Sequence, residues 1–177
     1  WDRSKVYPGH QVIEMGLVKL YRVTGEKKYL DLARYFLDVR GPKGQEYNQA
    51  HVKPVDQTKA VGHSVRATYM YSGMADIAAI ENDEAYLNAI TRIWEDLVYE
   101  KMYLTGGIGA SGGNEGFAEP FNLPNMSAYC ETCASIGDIF FNHRLFLLHG
   151  QSKYYDILEK TLYNSSLAGV SLSGDRF

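Results

Sequence analysis

The sequence contains no apolar run of the roughly 18–20 residues that a membrane-spanning helix needs, which argues against a helical membrane span. It has no basic stripe either. Lysine and arginine are scattered and the net charge is −3, so a nucleic-acid partner is not expected. Cysteine is scarce: Cys130 and Cys133 are the only two, in a CxxC spacing. No thioredoxin-like βαβ pattern surrounds them, which argues against a redox pair and leaves half a metal site or chance spacing open. The opening Trp1-Asp2-Arg3-Ser4 has no initiator methionine and no signal-like segment. The closing Leu172-Ser173-Gly174-Asp175-Arg176-Phe177 reads as a turn with a strand starting on either side. Both ends read as internal to a longer protein.

What is present is an ordinary globular composition. Apolar residues make up 45% of 177 residues and charged residues 22%, enough for one domain and against global disorder. A degenerate repeat runs through the chain, from Leu20 to Ala33, Ile80 to Ala89 and Leu148 to Leu158. Each copy reads as helix, short polar turn, helix. A tyrosine recurs at 29, 86 and 155, spacings of 57 and 69 residues, longer and less regular than tetratricopeptide or ankyrin periods.

The first helix of each pair is apolar on nearly every side, Val61 to Ile80 most clearly, as a helix buried all round should be. The second is amphipathic: Tyr29, Leu32, Ala33, Phe36 and Leu37 keep the 3,4 spacing, and Ala89, Ile90, Ile93, Trp94 and Leu97 repeat it. Inner helix followed by outer helix is the pattern of an (α/α)6 toroid. The expectation is an all-α fold with hairpins at about 10–24 with 27–39, 56–80 with 83–101, and 132–148 with 152–165, boundaries good to about two to four residues. Three hairpins make about half of such a ring.

Two long loops interrupt the helices, from Gly41 to about Val55 and from Leu104 to Tyr129. The second holds six glycines (106, 107, 109, 112, 113, 116) and two prolines (120, 124) together with carboxylates and aromatics. Loops of that length inside a compact domain are uncommon and tend to be functional or disordered.

Candidate chemistry gathers there. Glu115 and Glu119 lie in the glycine-rich loop and Glu131 begins the next helix. Glycoside hydrolysis needs an acid for the leaving oxygen, and a nucleophile or base on the other face of the sugar. A loop glutamate over a helical ring suits the first role, although a solvated loop glutamate has the same appearance. Glu131 and Cys133 are two apart, on opposite faces of a helix but on one face of an extended segment. Both can bind one ion only if the helix starts at about Thr132 or Cys133. Carboxylate and thiolate both suit zinc, which takes four ligands; a buried free cysteine at a helix start is the plainer alternative. His10 and His63 each follow a glycine near the start of an inner helix, which would turn both toward one end of the ring. Arg66, one turn after His63, is expected to be buried beside a carboxylate. His143 and His149 look structural.

Several segments are similar to one family. Gly106-Gly107-Ile108-Gly109, Glu115-Gly116-Phe117, Leu123-Pro124-Asn125 and the run Ala128-Tyr129-Cys130-Glu131-Thr132-Cys133-Ala134-Ser135-Ile136-Gly137 resemble the zinc-dependent β-L-arabinofuranosidases. Tyr47-Asn48-Gln49-Ala50-His51, Ala60 to Ala67 and Thr161-Leu162-Tyr163-Asn164 support the resemblance, which covers essentially the whole chain. It implies an (α/α)6 catalytic toroid followed by β-rich domains. Residues 1–177 would form part of the toroid, with the remainder and the β domains outside this chain. It implies a retaining glycoside hydrolase with a zinc-bound cysteine nucleophile, releasing β-L-arabinofuranose or a related sugar from plant glycans. Glu115 would be the acid/base, Glu131 and Cys133 zinc ligands, and His63 and His10 contacts to sugar hydroxyls; Cys130 matches no ligand. The nucleophile and a second cysteine would come from a downstream segment that this chain does not contain. The zinc site is then half present, the affinity for zinc weak and the piece alone inactive. Self-association is expected, because half a toroid leaves inner helices unpaired. Two other readings stay open: a metal-free sugar epimerase using His10 and His63, and a carbohydrate-binding scaffold whose 14 tyrosines stack on sugar rings.

Overall fold

Three helical hairpins carry the chain. In the computed structural model, which describes residues 5–177, α1 (Ile13–Thr24) returns as α2 (Lys27–Asp38), α3 (Ser64–Glu81) as α4 (Glu84–Glu100), and α5 (Thr132–His149) as α6 (Ser152–Thr161). The opening Trp1-Asp2-Arg3-Ser4 lies outside the described residues. Each first helix packs on its own second helix, and the first helices pack side by side, α1 on α3 and α3 on α5. The architecture is all-helical, with inner and outer helices as the periodicity predicts.

Each hairpin turns through a residue in the left-handed region: Gly25 (φ 71°), Asn82 (φ 54°) and Gly150 (φ 65°). Each closes its helix by donating its N–H to the carbonyl four residues back, Tyr21, Ala78 and Phe146. These caps set the register of the repeat. The third equivalent tyrosine is therefore Tyr154, four residues past Gly150, rather than Tyr155. Tyr154 is buried with Tyr86, and Tyr155 is exposed.

Three expectations change. First, α3 starts at Ser64 and not near 56. Pro54–Asp56 forms one 3₁₀ turn and the chain then runs on without helix to His63, held by bonds from distant residues described below. Second, only α3 is buried nearly all round. Helices α1 and α5 have a first-helix neighbour on one side alone, so Ile13, Leu20 and Val23 on one and Phe140 and Leu147 on the other are exposed. Third, the strand expected near the C-terminus is absent among the described residues. After α6 the backbone widens into a π turn over Leu162–Ser166. Residues 171–176 then form a turn closed by two backbone bonds, Ser171 N–H to Arg176 O (2.9 Å) and Gly174 N–H to Ser171 O (2.8 Å), and no ladder follows.

The core lies between the two helix rows: Tyr71, Met70, Met74 and Ile77 from α3, Tyr86, Ile90, Ile93, Trp94 and Leu97 from α4, Leu37 from α2 and Phe141 from α5. Truncating one such side chain costs about 2–5 kcal/mol. An exposed pair such as Lys27–Asp31 is screened by solvent and contributes little beside that, so packing dominates. Helices α3 and α5 meet closely at Gly137, where a Cβ would stand 2.2 Å from Thr68 Oγ1.

A polar chain crosses this core. Trp94 Nε1 donates to Asn142 Oδ1 (2.7 Å), and Asn142 Nδ2 donates to Asp138 Oδ1 (3.0 Å). Thr161 Oγ1 lies 3.4 Å from both Asp138 Oδ2 and the Gly106 carbonyl, at the root of the glycine-rich loop. Asp138 is fully buried, and burial pushes its pKa up to about 7 against the donors around it. The unfolded chain loses this proton near pH 4, while the folded one keeps it to about 7. Between those values the folded state binds the extra proton, so stability falls as pH rises, by roughly 1.4 kcal/mol per pH unit from this group. Asp138→Asn is expected to remove that component. Denaturant midpoints at pH 5 and 7 should converge in the variant relative to the parent, and equal pH slopes in the two would contradict it.

Candidate active site

The glycine-rich loop folds back on itself between Ser111 and Gly116, which exchange both backbone bonds at 3.0 Å. Its returning arm lies against the segment that leads into α3. Phe117 N–H donates to Gly62 O (3.0 Å), and Ser64 donates from both its N–H (3.1 Å) and its hydroxyl (3.0 Å) to the carbonyl of Glu115. The backbones touch so closely that a Cβ on Gly116 would stand 2.1 Å from Gly62 O. Glu115 itself is in the left-handed region, φ 52°. One of the free N–H groups at the start of α3 is thus capped by the residue whose side chain the site uses.

The segment ahead of α3 is pinned from the other side. Asp96 Oδ2 accepts from Ala60 N–H (2.7 Å), and Lys101 Nζ donates to Ala60 O and to Asp96, both at 2.8 Å. Gln49 Nε2 donates to Val61 O (2.8 Å), and His63 N–H donates to Tyr47 O (3.0 Å). Almost every backbone polar group from Ala60 to Ser64 has a named partner, most of them far away in sequence.

His63 is the residue before α3, buried, and its Nε2 lies 2.9 Å from Glu115 Oε2. About half of the Glu115 side chain stays exposed, so a second molecule can reach it. Ligand atoms of His63, Glu115 and Glu131 all fall within 4.8 Å of one another. Helix α5 begins at Thr132, with Glu131 extended ahead of it (φ −59°, ψ 136°), as the shared face of Glu131 and Cys133 requires. The Cys133 thiol is exposed, and the nearby Glu131 carboxylate raises its pKa, with partial burial adding to the effect. The side chains of Glu131 and Cys133 therefore stand together and not on opposite faces.

His10 completes the group from the α1 side. Its ring lies 6.3 Å from that of His63 and 6.2 Å from that of Tyr69. Partial desolvation lowers its pKa, and the positive charge of Arg66 adds to that. The structure thus gathers Glu115, Glu131, Cys133, His63 and His10. Glu119 lines a neighbouring polar cavity of about 910 Å³ with Tyr47, Lys59 and Asn122. Cys130, also in the left-handed region (φ 43°), packs toward Gly107.

Arg66 departs from expectation. It is half-buried, and among the described residues no carboxylate pairs with it; its guanidinium bonds the Gly9 carbonyl and lies 5.1 Å over the Tyr47 ring. The reason lies far off in sequence: the segment Pro8-Gly9 ahead of α1 presents a carbonyl where a carboxylate was anticipated. Sequence reasoning missed Tyr47, edge-on to His63 at 5.4 Å, and Tyr129, beside Glu115 and Glu131. Partial desolvation and then those two charges raise the Tyr129 phenol. Both sit inside segments with recognisable motifs, but no periodicity marks a loop tyrosine as facing a site.

Glu131 and Cys133 offer one oxygen and one sulfur side by side, a donor pair that suits zinc, which takes carboxylate, imidazole and thiolate ligands. Two ligands are half of what zinc takes. His63, Glu115 and Glu131 form an alternative set of nitrogen and oxygen donors.

A family model described as "Beta-L-arabinofuranosidase, GH127 catalytic domain" matches residues 2–177. A non-reducing end β-L-arabinofuranosidase of Bifidobacterium longum subsp. longum is 38% identical over 96% of this chain and 29% of its own length. Among solved structures, a GH127 β-arabinofuranosidase is 58% identical with a TM-score of 0.93, over 96% of this chain and 27% of its own. A GH127 β-L-arabinofuranosidase from Geobacillus stearothermophilus T6 is 40% identical with a TM-score of 0.96, over 100% and 32%. The chain thus spans less than a third of the length of each of these relatives.

Proposed function

This chain belongs to the GH127 β-L-arabinofuranosidase catalytic-domain family, and from that premise we propose that it is part of the (α/α)6 toroid of a retaining β-L-arabinofuranosidase, in which Glu115 is the acid/base. The observation that supports this reading is the convergence of His63, Glu115 and Glu131 within 4.8 Å, with the exposed Cys133 thiol close to Glu131. Oε2 of Glu115 is engaged by His63, and the other oxygen is left for the glycosidic oxygen. Glu115 donates its proton as the bond to the leaving group breaks, then accepts one from the water that frees the sugar. His63 and His10 flank the sugar and bind its hydroxyls, and Tyr47 and Tyr129 wall the pocket.

Glu131 and Cys133 are the residues that would hold zinc. Bound there, zinc would supply positive charge that keeps neighbouring thiols ionised at neutral pH. By the family resemblance, the remaining ligands and the cysteine nucleophile come from outside residues 1–177, so this chain alone is inactive. The substrate is an oligosaccharide or plant glycan carrying terminal β-L-arabinofuranose or a related sugar.

The proximity of Glu115 and Glu131 favours one rival. Retaining glycosidases commonly place their two carboxyls about 5–5.5 Å apart, so Glu131 could itself be the nucleophile, with no metal. The proposal as a whole is tested by incubating the full-length protein with aryl β- and α-L-arabinofuranosides. Release of the aglycone from the β anomer alone is expected. No release from either, or preference for the α anomer, would contradict the assignment.

A further inference from the structure

Gln49 is the least conspicuous residue of the Tyr47-Asn48-Gln49-Ala50-His51 segment, and its contacts are the most extensive. It is completely buried and in the left-handed region (φ 54°), where its N–H closes the 3₁₀ turn Glu46–Asn48. That conformation sends its side chain back under the loop. Its Nε2 donates to Val61 O at 2.8 Å and lies 3.3 Å from both Tyr47 O and His63 O. Its Oε1 accepts from Gln11 Nε2 at 2.5 Å, and Gln11 also donates to Asn48 O at 2.8 Å. The Gln49 carbonyl accepts from Gln57 Nε2 at 2.8 Å. Gln11 follows His10 directly, Tyr47 abuts the His63 ring, and Val61 and His63 belong to the strap ahead of α3. One amide thus ties the backbones that present Tyr47 and His63 to each other and to the side chain of Gln11, the neighbour of His10, from three different parts of the chain.

The chemistry explains why an amide is needed. The acceptors around Nε2 are all carbonyls, and the group facing Oε1 is a donor. Only a side chain with both kinds of atom satisfies them at once. A buried carbonyl left without its donor is costly, and the strap can recover that cost only by moving. Movement of the strap moves His63, and with it the 2.9 Å contact that fixes the Glu115 carboxyl.

We propose that Gln49 is a positioning residue for proton transfer, setting the His63–Glu115 contact through the backbone of Tyr47, Val61 and His63. The proposal rests on the reading of Glu115 as acid/base. The test is a double-mutant cycle in the full-length protein with Gln49→Met and Glu115→Gln. Each variant is assayed on an arabinofuranoside with an alkyl leaving group, which needs protonation, and on a p-nitrophenyl arabinofuranoside, which needs little.

Misplacing a catalytic group by about 1 Å can cost on the order of a hundredfold, so Gln49→Met should lower kcat on the alkyl glycoside by about ten- to a hundredfold. On the aryl glycoside kcat/KM, which reports the step that expels the leaving group, should fall far less, by only what the shift of His63 costs in sugar binding common to both substrates. In the Glu115→Gln background the same substitution should cost almost nothing further, because the group it positions is gone. Equal losses on the two substrates, or losses that multiply in the double variant, would overturn the proposal. If Glu115→Gln alone failed to discriminate between the substrates, the acid/base reading would fall and this inference with it. Discrimination by Glu115→Gln without discrimination by Gln49→Met would overturn this inference alone. Should Gln49→Met not fold, Gln11→Met, which removes the donor to Gln49 Oε1, carries the same comparison with the same two results.

Discussion

Glu115→Gln in the full-length protein is expected to lower kcat on a natural glycan by about 10²–10⁴-fold, the usual contribution of a general acid. The fold should survive. Glu115 is in a loop, and the bonds that fix its backbone run from Ser64 N–H and Oγ to its carbonyl, which the substitution keeps. Glutamine can still meet His63 Nε2, so the orientation is preserved while the transferable proton is lost. The size of the effect should track the leaving group. An activated aryl glycoside departs with little protonation and should lose far less than the glycan. Equal losses on both would mean that Glu115 positions the sugar.

Cys133→Ala is expected to remove zinc and activity together. Cys133 stands two residues into α5, close to Glu131, with its sulfur exposed rather than packed. The truncation therefore empties no core space, and the thermal midpoint of metal-stripped protein should hardly change. Cys130→Ser is the control: that thiol packs toward Gly107 and lies outside the group, so metal content should stay at the parent level. Full activity in Cys133→Ala would favour the rival in which Glu115 and Glu131 work as a carboxylate pair.

Much of the fold was legible because helical hairpins advertise themselves locally. The 3,4 spacing of Leu30, Ala33 and Leu37 marks a buried face, and Gly25 and Gly150 mark the turns. The juxtaposition of Glu131 and Cys133 was legible too, because a helix beginning at Thr132 leaves the residue before it extended. What could not be read depends on distant partners. The strap Ala60–His63 carries an apolar pattern that continues the helix, yet Asp96, Lys101 and Gln49 hold its backbone groups outside one. Tyr154 and Tyr155 are adjacent, and only the cap at Gly150 decides which is buried. Arg66 finds the Gly9 carbonyl because of how α1 is entered, which no signal near Arg66 records.

Cys133 and Glu131 are proposed to form half of a zinc site beside Glu115, the proposed acid/base. Zinc-edge X-ray absorption of the full-length protein tests it most directly. One zinc per chain is expected, with sulfur scatterers at about 2.3 Å and oxygen at about 2.0–2.2 Å, the sulfur signal falling in Cys133→Ala. A first shell of nitrogen and oxygen alone would place any metal on His63, Glu115 and Glu131 instead and contradict the claim.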